Sequence, residues 1–421
     1  MQSVKLTVRF LCRLLLGITF VFSGFVKSVD PLGFSYKLND YFAAFHMPWL
    51  SAIAIPLAML ASTAELLLGV MLLLDEGRRI AVWGIAIFMF IFTPLTLYLA
   101  IANPVSDCGC FGDAVKISNT QTFVKNLILL IAAVVLLLGR WHRQIYLLRT
   151  LRWRQYALWV MLLIAAVAPG VYSLVHLPLL DFRPYHVGAS IWENMSVPEG
   201  APQDEFSTTF VYEKDGVNKT FTEADYPWDD TTWHYVSSEN QLIRKGYEPP
   251  IKEFHLIDSS GQDIASQILQ AQGDRFLVVW PFLDQYPRGA VERLRSLAEQ
   301  AAQAGLPLAV ATSSPPEVQA QFAAQAPGVT IYSGDERVLK TVVRANPGVV
   351  LLHDGVVLGK WKMRDMPEPG YFSGNLLSKV LTADRQAAHW HWYLAIAVVL
   401  LVIGLYSTFV RRADRRANPE P

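Results

Sequence analysis

Two cysteines one residue apart are the strongest chemical signal in this 421-residue sequence. Cys108 and Cys110 lie in the stretch Asp107-Cys-Gly-Cys-Phe-Gly-Asp113, and Cys12 is the only other cysteine. Cysteines at positions i and i+2 can close a small, strained disulfide, and strain makes such a bond easier to reduce. The spacing therefore predicts an exposed, reducible redox pair.

The same loop allows other interpretations. The two sulfurs are also consistent with a structural disulfide or with half of a metal site, but zinc takes four ligands and no second Cys or His pair stands nearby, so we predict no metal. Gly109 and Gly112 permit backbone angles that turn both sulfurs the same way. Asp107 and Asp113 flank the pair, and we expect these carboxylates to raise the thiol pKa.

Glu65 is the only charge in the middle of a long apolar segment. A carboxylate at that depth costs about 2.5–3.5 kcal/mol, so it is expected to face other helices and find a partner. One interpretation is a proton relay or a hydrogen bond to a quinone-like ligand; the other is a structural clamp to a Ser, Thr, Tyr or Lys27 side chain. Glu65 and Lys27 are thus candidates for proton or quinone handling, and a membrane quinone is the candidate cofactor.

Composition indicates that these residues are positioned by membrane helices. Hydrophobic residues make up 52% of the chain and charged residues 17%, with a net charge of zero. Three cysteines exclude a disulfide-stapled scaffold, and no basic block outside the apolar segments suggests nucleic-acid binding. Six stretches approach the roughly 20 apolar residues that a membrane helix needs. They are 8–26, 50–74, 79–102, 121–139, 156–177 and 391–410.

The distribution of Lys and Arg predicts the orientation of these spans. If all six exist, four basic clusters fall on one side: Lys5, Arg9 and Arg13; Arg78 and Arg79; Arg140, Arg143, Arg149, Arg152 and Arg154; Arg411, Arg412, Arg415 and Arg416. Cations favour the cytoplasmic side, so both termini are predicted to be cytoplasmic. The Cys108/Cys110 loop and residues 178–390 then lie together on the opposite, periplasmic side.

Between the first two spans, aromatic residues recur at helical spacing within 27–49. The pattern predicts a short helix lying at the membrane interface, with Tyr41 and Trp49 at the depth of the lipid headgroups.

Several of these residues together resemble the MauE/DoxX-type four-helix membrane family. The resemblance covers residues 1–140 and rests on Ser23-Gly24, Lys27, Asp30-Pro31, Glu65 and Cys108-Gly-Cys-Phe-Gly112. MauE proteins are implicated in maturing a disulfide-rich periplasmic dehydrogenase, and DoxX relatives in quinone-linked sulfur oxidation. The resemblance implies redox or maturation work in a bacterial inner membrane, with a periplasmic client or redox partner.

The region 178–390 alternates between strand and helix patterns. Strands are predicted within 206–236, with a hairpin turn at Asp215-Gly216, and a strand–helix–strand–helix–hairpin–helix order follows from 248. That order resembles the thioredoxin fold of TlpA-like and peroxiredoxin-like proteins, with Pro347 as their cis-proline. Where such proteins carry Cys-x-x-Cys, this chain has Pro281-Phe-Leu-Asp284, and 178–390 contains no cysteine. This domain therefore cannot exchange disulfides itself.

We thus predict a multi-pass α-helical membrane bundle of six transmembrane helices with an α/β thioredoxin-like soluble domain. The predicted segments are the four-helix domain 1–140, a basic connection 141–155, a fifth helix 156–177, a mixed β segment 178–247, the thioredoxin-like domain 248–388, a sixth helix 391–410 and a cytoplasmic tail 411–421. The predicted function is a redox or maturation accessory in which Cys108 and Cys110 exchange electrons with a partner or a quinone. The alternative is a non-enzymatic assembly scaffold with a structural disulfide and a binding-only α/β domain.

Overall fold

The structure, a computed structural model, describes residues 2–74, 77–105, 108–139, 153–367 and Ser378. The predicted sixth span at 391–410, the tail at 411–421 and nearly all of the 141–155 connection lie outside these residues. The end of the predicted 248–388 domain does so as well, apart from Ser378.

The N-terminal part of the chain is made of long apolar helices. They are α1 (Gln2–Val29), α2 (Pro31–Ala44), α3 (Ala54–Leu74), α4 (Arg78–Ala102), α5 (Asn119–Leu137) and α6 (Trp153–Val175), with a 3-10 helix at Pro48–Ile53. By length and composition, α1, α3, α4 and α5 can cross a membrane. The apolar part of α6, Trp159–Val175, is shorter, so the fifth span remains a prediction.

Helices α1 and α3 touch through their backbones. A Cβ atom on Gly24 would lie 2.4 Å from the backbone nitrogen of Leu66. Small residues at such positions are typical of membrane helix pairs, because they let the backbones approach. The close contact brings Ser23 and Lys27 of α1 within hydrogen-bonding distance of Glu65 on α3. Around them, the bundle core is filled by Leu16, Phe20, Leu72, Ile85, Leu129 and Ala133.

The helix predicted within 27–49 is confirmed as α2. Asp30 caps it by accepting a hydrogen bond from the Gly33 N–H at 2.9 Å, and Pro31 occupies its first position. Both features favour a helix start. Tyr41 is buried within the protein, where its ring packs beside the Cys108 loop, and its headgroup depth stays a prediction.

The strands predicted within 206–236 are confirmed as part of a small antiparallel sheet. Its strands are β1 (Glu205–Lys214), β2 (Val217–Thr222) and β3 (His234–Arg244), in the order β2-β1-β3. Asp215 and Gly216 both have positive φ angles, 51° and 77°, as a two-residue hairpin of right-handed twist requires. The aromatic residues that follow β2 pack back onto the strands, with ring centroids 5.1 Å apart for Phe210–Tyr226 and for Phe221–Trp233.

A five-stranded mixed sheet forms the second half of the described chain. Its strands are β4 (Asp274–Val279), β5 (Leu308–Thr312), β6 (Thr330–Ser333), β7 (Gly348–His353) and β8 (Val356–Lys362), in the order β6-β5-β4-β7-β8. Strands β4, β5 and β6 are parallel, and β7 and β8 form an antiparallel hairpin beside β4. The helices that accompany it are α7 (Ile191–Met195), α8 (Ala265–Gln270), α9 (Ala290–Gln303), α10 (Pro316–Gln325) and α11 (Glu336–Val342). We call this unit the α/β domain.

Both faces of the α/β sheet are covered, which explains the unbroken apolar runs of β4 and β7. Helix α9 closes one face around Trp280, and the other face packs against α8 and α11. Helix α10 and strand β6 were not predicted, because both are short and β6 is only half buried. Tyr185 and Ile191, from the segment grouped with β1–β3 in the sequence, lie in the core of this sheet.

Candidate functional site

The cysteine loop joins the end of α4 to the start of α5 and is held by tight turns. Gly109 and Gly112 have positive φ angles of 59° and 53°, and the Gly112 N–H donates to the Gly109 carbonyl at 3.0 Å. A Cβ atom on Gly109 would lie 3.0 Å from Cγ of Lys37 on α2. The left-handed backbone at position 109 favours glycine, and a side chain there would require Lys37 to shift by a few tenths of an ångström.

The two sulfurs turn inward rather than towards solvent. Cys108 is 6% exposed, so the predicted exposed pair is wrong for this residue. Its Sγ lies 3.3 Å from Thr122 Oγ1 on α5 and accepts from the Cys110 N–H at 3.1 Å. The Tyr41 hydroxyl donates to the Cys108 carbonyl. In the structure Cys12, Cys108 and Cys110 are free thiols.

The thiols of Cys108 and Cys110 differ in acidity. The Cys110 side chain donates a hydrogen bond to Cys108 and, with help from Thr122, lowers the pKa of Cys108 to about 6 against the opposing effect of burial. The same hydrogen bond, together with burial, raises the pKa of Cys110 well above its usual value. The expected rise from the flanking carboxylates is wrong for Cys108. Asp107 lies outside the described residues, and the carboxylate of Asp113 is bound by Arg344.

Directly beneath the loop lies a buried ion pair. Lys27 Nζ is 2.8 and 2.9 Å from the two carboxylate oxygens of Glu65, and both side chains are 5% exposed. Ser23 Oγ lies 2.7 Å from Glu65 and 2.9 Å from the carbonyl oxygen of Cys110. The structure thus brings Glu65 and Lys27 together, as the clamp interpretation expects, and links them through Ser23 to the cysteine loop.

These groups border one cavity of about 230 Å³ in the part of the bundle next to the cysteine loop. Lys27, Glu65, Cys108 and Cys110 line it, and Lys125 stands at its wall with its ammonium 4.2 Å from the ring centroid of Phe111. The remaining wall is mostly apolar and contains several aromatic rings, among them Phe20, Phe34, Phe42, Phe88 and Phe92. An apolar cavity with a few convergent polar groups is typical of a small-molecule site. Across the described ranges, no group of three or more His, Cys, Asp or Glu residues is placed to hold a metal ion.

Arg344 of the α/β domain reaches into this site, which the sequence did not reveal. Its Nε lies 2.9 Å from Asp30, and one terminal nitrogen lies 3.0 Å from Asp113. The guanidinium is 5% exposed, and its other terminal nitrogen donates to the Lys340 carbonyl at 2.6 Å. One arginine therefore ties the start of α2 to the end of the cysteine loop. No local pattern signals it, because 231 residues or more separate the partners.

The end of β4 faces α2. This is the position at which the TlpA-like and peroxiredoxin-like proteins that the sequence resembles carry Cys-x-x-Cys. The Phe282 N–H donates to Asn346 Oδ1 at 3.0 Å, and the Asn346–Pro347 peptide bond is cis, as predicted. Lys340 Nζ lies 4.7 Å from the ring centroid of Phe282 and 5.0 Å from that of Tyr36 on α2. The α/β domain therefore turns the end of β4 towards the part of the bundle that holds Cys108 and Cys110.

Fold and site together define a membrane protein with several apolar helices, a thiol loop at their ends and an α/β domain docked over it. Residues 5–139, about a third of the chain, match the family model described as methylamine utilisation protein MauE, so this region is a MauE-like membrane domain. Residues 206–245 match the model of a domain of unknown function, DUF8463, and coincide with the sheet β2-β1-β3. No curated protein and no solved structure matches the chain.

Proposed function

We propose that the protein is a redox or maturation accessory of the bacterial inner membrane that uses Cys108 and Cys110 as a two-electron carrier. The observation that carries this proposal is the shared cavity, in which two free thiols of unequal acidity stand beside a buried Lys27–Glu65 pair. The description of the matching family as a methylamine utilisation protein supports an accessory role of this kind.

A membrane quinone fits the cavity as the electron acceptor. The aromatic wall suits a flat ring, and Lys27 can donate a hydrogen bond to a carbonyl oxygen. When bound, a quinone accepts two electrons and two protons and becomes the quinol. The Cys108 thiolate and the Cys110 thiol supply the two electrons as their disulfide forms, and Glu65 and Lys27 are placed to pass protons. Exchange of that disulfide with a client dithiol regenerates both thiols and leaves the client oxidised.

For the α/β domain we propose a thioredoxin-like fold. Its proposed role is to dock a client and to position the thiol loop. Its sheet order, its cis-Pro347 and the turn after β4 support that fold, while the absence of cysteine from 178–390 excludes direct disulfide exchange. Arg344 gives the domain a direct contact with the thiol loop, and its surface away from the bundle is available to hold a client.

The proposed orientation places the thiol loop and residues 178–390 in the periplasm, with six spans and both termini in the cytoplasm. Contact between Arg344 and Asp113 supports the shared side, since both residues must lie on the same face of the membrane. Arg78 and Arg79 begin α4 at the end opposite the loop, as a cytoplasmic location of these cations requires.

The test follows the oxidation state of the two cysteines in membranes that contain the full chain. Before quinone is added, Cys108 and Cys110 should both react with a mass-tagged maleimide under denaturing conditions, as free thiols do. After quinone is added they should form a disulfide and no longer react. Cys12→Ser should behave as wild type. Cys108→Ser/Cys110→Ser should assemble in the membrane but lose maturation activity. Full activity in that double variant would instead support a non-enzymatic scaffold.

A further inference from the structure

A second cavity, of about 340 Å³, lies where the α/β domain meets the ends of α2 and α6. Its domain side is formed by the turn after β4 and by the Asn346–Pro347 segment, and its other side includes Leu32 and Tyr36 of α2 and Leu174 of α6. This cavity is separate from the thiol cavity, since neither Cys108 nor Cys110 lines it.

The charge of the cavity is positive throughout. Its lining contains six cations and no carboxylate: Arg288, Arg293, Lys340, Arg344, Lys362 and Arg364. Three of the six have acidic partners behind the wall. Arg344 binds Asp30 and Asp113, Lys340 binds Glu336, and Arg364 binds Asp365.

The other three cations, Arg288, Arg293 and Lys362, make no direct ion pair with a carboxylate among the described residues. Arg288 and Arg293 make no ion pair in the part of the chain that the structure describes, and the Lys362 ammonium donates only to the Leu174 carbonyl, at 2.7 Å. Burial and the nearby charge of Arg364 lower the pKa of Lys362, and the charge of Asp365 offsets part of that shift. Cations held together without a counter-ion repel one another, and an anion in the cavity removes that repulsion.

The height of the cavity relative to the bundle narrows the choice of anion. Leu32 lies three residues beyond Val29, the end of a helix that can span a membrane, and Leu174 lies near the end of α6. Lipid headgroups lie at the level where apolar helices end, and basic pockets at that level hold their phosphates. Arginine suits phosphate because its donors can bind two oxygens at once.

We propose that this cavity binds a phosphate group, with Arg288, Arg293 and Lys362 as its ligands and the apolar ends of α2 and α6 as its floor. The phosphate belongs to an anionic phospholipid headgroup or to a soluble phosphate. The site goes beyond the proposed redox function and stands whether or not Cys108 and Cys110 carry electrons. A phosphate bound here rests against both the α/β domain and the bundle and so strengthens their contact.

The test uses the full chain in neutral detergent micelles and a fluorescent phosphatidylglycerol as the probe. Wild type should bind it saturably, and Arg288→Gln/Arg293→Gln should bind about tenfold more weakly or worse, because two charge-assisted contacts are lost. Arg295→Gln, on the same helix as Arg293 but outside the cavity, should bind as wild type does. Arg288→Lys/Arg293→Lys, which keeps the charge, should retain part of the affinity.

Competition identifies the source of the phosphate. Displacement of the probe by inorganic phosphate supports a soluble ligand, and displacement by phosphatidylglycerol but not by inorganic phosphate or phosphatidylcholine supports a lipid headgroup. Equal binding by wild type and Arg288→Gln/Arg293→Gln, or no saturable binding of either phosphate probe, would overturn the proposal. Displacement by an acidic peptide alone would overturn the phosphate assignment.

Discussion

The membrane bundle and the α/β domain face each other across α2, and they differ in the groups that they place there. The bundle holds both thiols and an aromatic cavity. The domain has a mixed sheet in the order β6-β5-β4-β7-β8 and a cis peptide bond before Pro347, but it contains no cysteine. The contact between the domain and the cysteine loop is an ion pair, from Arg344 to Asp113.

The two regions also bury charge in different ways. In the bundle, Lys27 and Glu65 compensate each other within one cavity wall. At the junction, Arg344 of the domain compensates two aspartates of the bundle, so the charges of one region are satisfied by the other. Variants of these two sets test whether the division between the regions is correct.

The largest effect is expected from breaking the bundle's own ion pair. Lys27→Met leaves Glu65 buried without a cation, and the free energy of unfolding in detergent should fall by about 3–5 kcal/mol. Lys27→Met/Glu65→Leu removes both charges and should recover much of that loss. Ser23→Ala, which removes one hydrogen bond, should cost about 1 kcal/mol.

The double variant also separates the two interpretations of this pair. If it is stable but no longer couples quinone addition to cysteine oxidation, the pair handles protons or quinone. If cysteine oxidation is unchanged in the stable double variant, Lys27 and Glu65 act only as a structural clamp.

A smaller loss should follow from cutting the link between the regions. Arg344→Gln leaves Asp30 and Asp113 without their cation, and the expected cost is about 2–3 kcal/mol, as for hydrogen bonds to charged groups. Hydrogen exchange of residues 108–114 should become faster, because the end of the loop is no longer held. Arg344→Lys should not restore protection, since one ammonium does not reproduce the geometry of a guanidinium that bridges two acids.

Arg337→Gln is the matched control for this link. Arg337 also joins α11 to α2, through Asp40 at 3.5 Å, but it is 85% exposed. Exposed pairs contribute about 0–1 kcal/mol, so this variant should leave loop exchange unchanged. Equal effects of Arg337→Gln and Arg344→Gln would contradict the positioning role of Arg344.

The smallest effect concerns the pH dependence of the thiols within the bundle. A pKa of about 6 means that Cys108 is half thiolate near pH 6 and nearly all thiolate at pH 8. Its reaction with methyl methanethiosulfonate should therefore rise only about twofold over that range, against about 100-fold for a thiol near pKa 8.5. Mass spectrometry of the Cys12→Ser protein measures the rate at each cysteine.

Cys110→Ala provides the check on the cause of this acidity. It removes the hydrogen-bond donor that does most to stabilise the Cys108 thiolate, so the pH dependence should steepen towards that of an ordinary thiol. A profile that is unchanged in Cys110→Ala would show that Cys110 does not set the acidity of its neighbour.

Much of the fold was predictable because its signals are local. Apolar length identified the helices α1, α3, α4 and α5, and the Asp215-Gly216 turn identified the β1–β2 hairpin. The buried strands β4, β5 and β7 read as continuous apolar runs because the sheet is covered on both faces. Strand β6 has four half-exposed or exposed residues and no such signal, so only its pairing with β5 defines it.

The sequence by itself determined which residues can do chemistry: two thiols one residue apart, a single mid-span carboxylate, and an α/β domain without cysteine. These are statements about residue types and short spacings, which local patterns express. Only the tertiary structure decided that Cys108 is buried, that Ser23 links Glu65 to the loop, and that Arg344 crosses from the domain to Asp30 and Asp113. Those contacts join residues 42 to 314 positions apart, where no local pattern records which side chains meet.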